Sequence, residues 1–222
     1  MRDHRLAAFA LWATLSLGTG PLLHAQSPVE TSATGSTLSP GLRTAVDRLA
    51  DSARVIGVPT EPLYLKAAEG VLKGADDDRV AVVVGRMLGE LREARQGLGT
   101  DATSAELIAG ASVVHAGLDA AALRRVRAAR AGVRSENALV MPLVVLADLV
   151  ARRVTPETAT ASVIALAERG APDAEFDDLR SVVEREIRRG QPPDAAARAR
   201  TAVILRAMPR VSAPGRDPLG GP

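Results

Sequence analysis

The chain has 222 residues, 28 Lys and Arg against 26 Asp and Glu, a mean hydropathy of +0.07 and no cysteine. Without cysteine it can form no disulfide and no zinc site of the usual His and Cys ligands, so its fold must rest on a buried apolar core. The near balance of charge, together with 2% aromatic residues for base stacking, argues against a nucleic-acid partner.

Arg2 and Arg5 precede an apolar run from Leu6 to Leu17, broken by Gly18, Gly20 and Pro21. The run falls well short of the ~20 residues that span a bilayer as a helix, and Leu23-His24-Ala25 supplies a small residue at a cleavage position. Residues 1–25 therefore read as a bacterial secretory signal peptide, and the mature chain is expected to be periplasmic or secreted, with no transmembrane segment. Residues 26–40, rich in Ser, Thr, Gly and Pro, read as a disordered leader.

From Leu42 the apolar residues recur with helical spacing, and no strand pattern appears before Met208. The expected class is all-α, with about nine short helices near 41–56, 60–73, 76–96, 103–116, 119–131, 135–152, 155–169, 172–189 and 193–208. They form one domain over 41–208, followed by a disordered tail at 209–222. A turn phrase recurs between them: Gly57-Val58-Pro59, Gly74-Ala75-Asp76, Gly117-Leu118-Asp119, Gly170-Ala171-Pro172 and Gly190-Gln191-Pro192, with Arg153-Val154-Thr155 as a variant. In each phrase the first residue closes a helix in the left-handed conformation, the second is usually apolar, and the third is an N-cap or a proline. The interval between Gly74 and Gly117 holds two helices without such a joint. Connections this short lay successive helices side by side as stacked antiparallel hairpins, a degenerate helical repeat or an irregular bundle.

The sixth residue after each joint tends to be apolar or small (Leu63, Val80, Leu123, Ala159, Phe176, Ala196) and is expected to pack each helix into its neighbour. Residues 138–151 are apolar almost all round, as for a helix with neighbours on every side, and Pro142 should kink or shorten that helix. Gly70, and Gly85 with Gly89, are expected at close helix contacts.

No catalytic, cofactor or metal-binding motif stands out. His115, the one histidine of the mature chain, falls in the last turn of a helix, where the dipole favours a cation. Asp76, Asp77 and Asp78 read as an N-cap and first turn rather than as a calcium loop. Lys66, Glu69 and Lys73 fall on one face of the second helix, with Tyr64 pointing the other way, and are the candidate binding patch for an anion or a partner. Arg124, Arg127 and Arg130 form a candidate basic stripe, and residues 180–222 hold nine basic against four acidic side chains. Asp148 is expected to pair with Arg152 at the solvent edge. The expected function is that of a non-catalytic scaffold or protein-binding module of the bacterial envelope, with an unknown protein or an anionic envelope component as partner. The alternative is a periplasmic carrier of a lipid or other apolar small molecule, for which an apolar cavity would be the mark.

Overall fold

The computed structural model describes residues 38–133 and 135–208. The expected signal peptide, most of the expected leader and the expected tail lie outside them. The leader's expected end at residue 40 moves forward, because Leu38 packs into the core and Pro40 already opens the first helix.

The described residues form nine helices and no strand: α1 (Pro40–Ile56), α2 (Glu61–Leu72), α3 (Asp77–Leu98), α4 (Ser104–His115), α5 (Ala120–Ala129), α6 (Val140–Ala151), α7 (Pro156–Glu168), α8 (Asp173–Arg188) and α9 (Pro193–Ala207). Their starts follow from side-chain caps. Ser39, Asp76, Asp119 and Thr155 each accept a hydrogen bond from the backbone N–H three residues on, and Thr103 with Glu106 closes a reciprocal capping box before α4. Two starts differ from expectation. Thr60, not Pro59, holds the N-cap position of α2, and α6 begins at Val140 rather than near 135, so Pro142 shortens that helix instead of kinking it.

Six helix ends share one backbone geometry. At Gly57, Gly74, Gly117, Arg153, Gly170 and Gly190 φ is positive, between 65° and 95°. In each, the next residue's N–H returns to the carbonyl five positions back, as Val58 does to Ala53 at 3.0 Å and Ala171 to Leu166 at 3.0 Å. This is the Schellman closure, which satisfies the last helical carbonyls and, in five of the six joints, tucks the following apolar residue toward the core. Val58, Leu118, Val154 and Ala171 are buried. The end of α3 that lacked a matching phrase uses Gly99 at φ 83°, and its N–H donates to the Arg95 carbonyl at 2.9 Å.

Helices two apart pack on one another. α1, α3, α5, α7 and α9 make one row, and α4, α6 and α8 make a second row against it, while α2 leans on α3 without comparable contact to α4. From α3 onward each connection crosses between the rows, so the stacked-hairpin reading becomes a two-row stack. All six of the residues expected to lock successive helices (Leu63, Val80, Leu123, Ala159, Phe176 and Ala196) are buried. Close helix approach occurs at Gly70, where a Cβ would lie 2.7 Å from Val80 Cγ2, and at Gly97 and Gly110. Gly85 and Gly89 are corrected: nothing stands within 4 Å of a Cβ at either position, because they lie on the outer side of α3.

Candidate functional site

The second row carries a groove. Glu106, buried in the first turn of α4, accepts from Thr103 N–H at 3.1 Å through Oε2 and from Leu139 N–H at 3.2 Å through Oε1. Thr103 Oγ1 also meets Asn137 Oδ1 at 2.6 Å. These bonds pin the starts of α4 and α6 together and let the two helices run alongside one another. Between them lies a half-open groove of about 260 Å³. Ala105, Ile108, Ala109 and Ser112 line it from α4, and Val140, Val144, Ala147 and Val150 line it from α6. Toward the far end stands His115, whose Nδ1 is 2.8 Å from Glu90 Oε1.

This groove was not legible in the sequence. The apolar run over 138–151 implies neighbours on every side, whereas α6 keeps the side bearing Val140, Val144 and Val150 only part-buried. The available signal was spacing: Val140, Val144, Ala147 and Ala151 repeat at helical intervals and mark one face of α6, which α4 only partly covers.

Lys66, Glu69 and Lys73 are brought together as expected, but as a closed triad. Glu69 accepts from Lys66 Nζ at 2.9 Å through one oxygen and from Lys73 Nζ through the other. The hydrogen bond from Lys73, then that from Lys66, holds the Glu69 carboxyl below its ordinary range. Tyr64 donates instead to Asp47 Oδ1 at 2.8 Å on α1, and that bond raises its phenol above the ordinary value.

The arginine stripe does not form. Arg124 and Arg127 are exposed, with Arg127 3.9 Å from Asp101, but Arg130 is buried. Its guanidinium donates to the Ala138 carbonyl at 3.2 Å, to the Ala171 carbonyl and to Asp173 Oδ1 at 3.3 Å, and it lies 5.1 Å above the centroid of the Phe176 ring. Burial lowers its pKa from the usual arginine value, against the opposing pull of Asp173. Every third residue is not one helix face, since three residues turn through about 300°, and by Arg130 the row has rotated into the α5–α8 seam.

Asp148 is likewise corrected. It pairs with Arg152 at 2.9 Å as expected, but its side chain is 2% exposed and faces α8 rather than solvent. Arg180 stands 3.9 Å away, and Arg152 extends to Glu184 at 2.9 Å. Burial raises the Asp148 carboxyl above its ordinary value of 3.8, with Arg152 and Arg180 pulling the other way.

Asp76 caps α3 through Arg79 N–H at 2.8 Å, and Asp77 is reached by Ser39 Oγ from the start of α1. Among the described residues, no group of three or more His, Asp or Glu side chains is placed to hold a metal ion, and no helix is long and apolar enough to cross a membrane. No family model, curated protein or solved structure matches the chain.

Proposed function

We propose that this chain is a non-catalytic protein-binding module of the bacterial envelope, exported by its N-terminal segment, and that it docks an amphipathic helix of a partner along the α4/α6 groove. The observation that carries the reading is the groove itself. It is an apolar channel between two neighbouring helices of one row, and 260 Å³ is smaller than the ~300–1,000 Å³ of typical small-molecule pockets. A row of side chains at helical spacing fills such a channel without needing a closed cavity. Several of the other titratable groups singled out from the sequence serve structure. Lys66 and Lys73 are engaged by Glu69, Arg130 ties α5 to α6 and α8, and Asp148 ties α6 to α8.

The test places a photo-crosslinking residue at Val144, in the groove, and at Arg48, on the exposed side of α1, in the protein expressed in its own envelope. A protein adduct is expected from position 144 and not from position 48. The identified partner, purified, should bind the parent chain and lose binding to Val144→Asp while that variant stays folded by circular dichroism. Binding undiminished by Val144→Asp would remove the groove from the reading.

A further inference from the structure

The α4/α6 groove has a direction. One helix of the other row lies between α4 and α6 in the chain, and their starts are tied together by Glu106 with Leu139 and by Thr103 with Asn137, so the two run the same way. Each has 12 residues, which makes the groove about 18 Å long at the helical rise. Its walls are apolar over that length, and among its lining residues only His115, at the far end, is ionisable. The charges that flank it stand at its ends. At the starts, Glu136 is exposed three residues before Leu139 and forms no ion pair among the described residues, and Asp101, 3.9 Å from Arg127, keeps 89% of its side chain exposed. At the far end α6 closes on Arg152 and Arg153. Arg152 is engaged by Asp148 and Glu184, whereas Arg153 is exposed and forms no ion pair among the described residues. The acids at that end are turned to other tasks, since Glu90 meets His115 Nδ1 at 2.8 Å and Asp119 caps α5 through the Ala122 N–H at 2.9 Å.

We infer, resting on the groove as the docking site, that it accepts a partner helix of about three turns running antiparallel to α4 and α6, with acidic side chains in its first turn beside Arg153 and basic side chains in its last turn beside Glu136 and Asp101. Two effects set the same orientation. The end charges of the groove pair with opposite charges of the partner, and the partner's dipole opposes those of the two helices that flank it. A parallel helix of the same sequence would set acid against Glu136 and base against Arg153. The charge pattern is also the one that a helix's own dipole favours, so such a segment reaches the groove with less ordering left to do. The apolar walls hold the partner, and the end charges choose its direction.

The probes are two fluorescently labelled helical peptides, stapled on the outer face so that both are equally helical, with leucine at i, i+4 and i+7. One carries glutamates in its first turn and lysines in its last, and the other has those ends exchanged. By fluorescence anisotropy on the purified chain the first should bind several-fold more tightly than the second, and the difference should shrink as salt rises. Glu136→Lys combined with Arg153→Glu changes two exposed side chains, leaves the apolar walls intact and should invert the preference. A nitroxide on the acidic end of the first peptide should broaden the amide NMR signals of Val150 to Arg153 rather than those of Ser104 and Leu139. Equal binding of both peptides, with both lost in Val144→Asp, would overturn the orientation and leave the groove as a docking site. Failure of both to bind, or binding of both that Val144→Asp leaves unchanged, would overturn the orientation and the groove reading together. Broadening at Ser104 and Leu139 would reverse the assigned direction.

Discussion

At six helix ends the chain turns through the same pair of backbone hydrogen bonds, whereas at the end of α5 the turn from Arg130 to Gly132 has no residue of positive φ and is tied down by the Arg130 side chain. The first device is local. Three consecutive residues contain all that it needs, so each joint forms irrespective of what surrounds it. The second is tertiary. Arg130 closes α5, reaches across eight residues to the Ala138 carbonyl before α6, and across 41 to the Ala171 carbonyl before α8, where its charge also lies over Phe176. Stability at the local joints should therefore fail by small, independent steps, and stability at the Arg130 joint should fail all at once.

The largest effect expected from this contrast is at Arg130 itself. Arg130→Ala strands the Ala138 and Ala171 carbonyls and opens a void against Phe176, a loss of about 3 kcal/mol in urea unfolding. Arg130→Lys keeps the charge but cannot present a planar fork to two carbonyls, so it should recover less than half of that loss. Full recovery by lysine would mean that charge, not hydrogen-bond geometry, holds the seam.

Asp148 supplies the next effect and adds a pH signature. Asp148→Asn keeps the shape and leaves Arg152 with Glu184 and Arg180 with Asp177, so the loss at neutral pH should be limited to about 1–2 kcal/mol. Because burial raises the folded carboxyl above 3.8, the folded state holds the proton more tightly than the unfolded chain. Asp148 is thus least unfavourable to folding below 3.8, and its contribution worsens as pH rises to the raised value. The stability of the parent relative to Asp148→Asn should improve as pH falls through that window. A flat difference across the window would mean that the carboxylate is not desolvated in the folded state.

The local joints predict smaller and separable changes. Gly170 has φ of 65° with open space where a Cβ would point, so Gly170→Ala should cost about 1 kcal/mol from backbone strain alone. Gly170→Val should cost more, since β-branching is least tolerated there. Arg153 occupies the same position with φ of 67° and already bears that strain, so Arg153→Gly should gain about 0.5–1 kcal/mol. A loss at Arg153→Gly would show that its side chain, not the local turn, secures the α6–α7 joint.

These two kinds of joint also separate what the sequence disclosed from what it withheld. The Schellman phrases, the N-caps at Asp76, Asp119 and Thr155 and the buried sixth residues are written within a few neighbouring positions, and each was legible there. The α6 start was misplaced because residues 135–139 are apolar or helix-compatible enough to extend the pattern, yet Asn137 takes φ of 61° and the backbone there answers to Glu106 and Arg130. Asp148 illustrates the same limit. Its spacing to Arg152 named the partner correctly, but its exposure was decided by α8, which no local window contains. The α4/α6 groove belongs to this second class, since an apolar face declares that something should cover it without saying how completely.

Glu69 and Lys73 repeat the acid-to-base i,i+4 spacing of Asp148 and Arg152 on a surface helix, which makes them the control for the comparison. Lys73 is 64% exposed and Glu69 32%, and the pair is solvated by water and salt. Lys73→Ala should cost no more than about 0.3–0.5 kcal/mol, and the cost should shrink as salt rises, because surface ion pairs are screened. Lys66 is less exposed, at 18%, so Lys66→Ala should cost slightly more through lost packing of its alkyl stem, and that part should not respond to salt. Glu69→Gln tests the triad from its centre. The carboxyl is held low by both lysines, so its contribution is present above the ordinary carboxylate value and is lost as pH falls below it, the opposite slope to Asp148. Two pairs with one sequence spacing and opposite acid responses would locate the difference in burial, and matching responses would place it in the local helix instead.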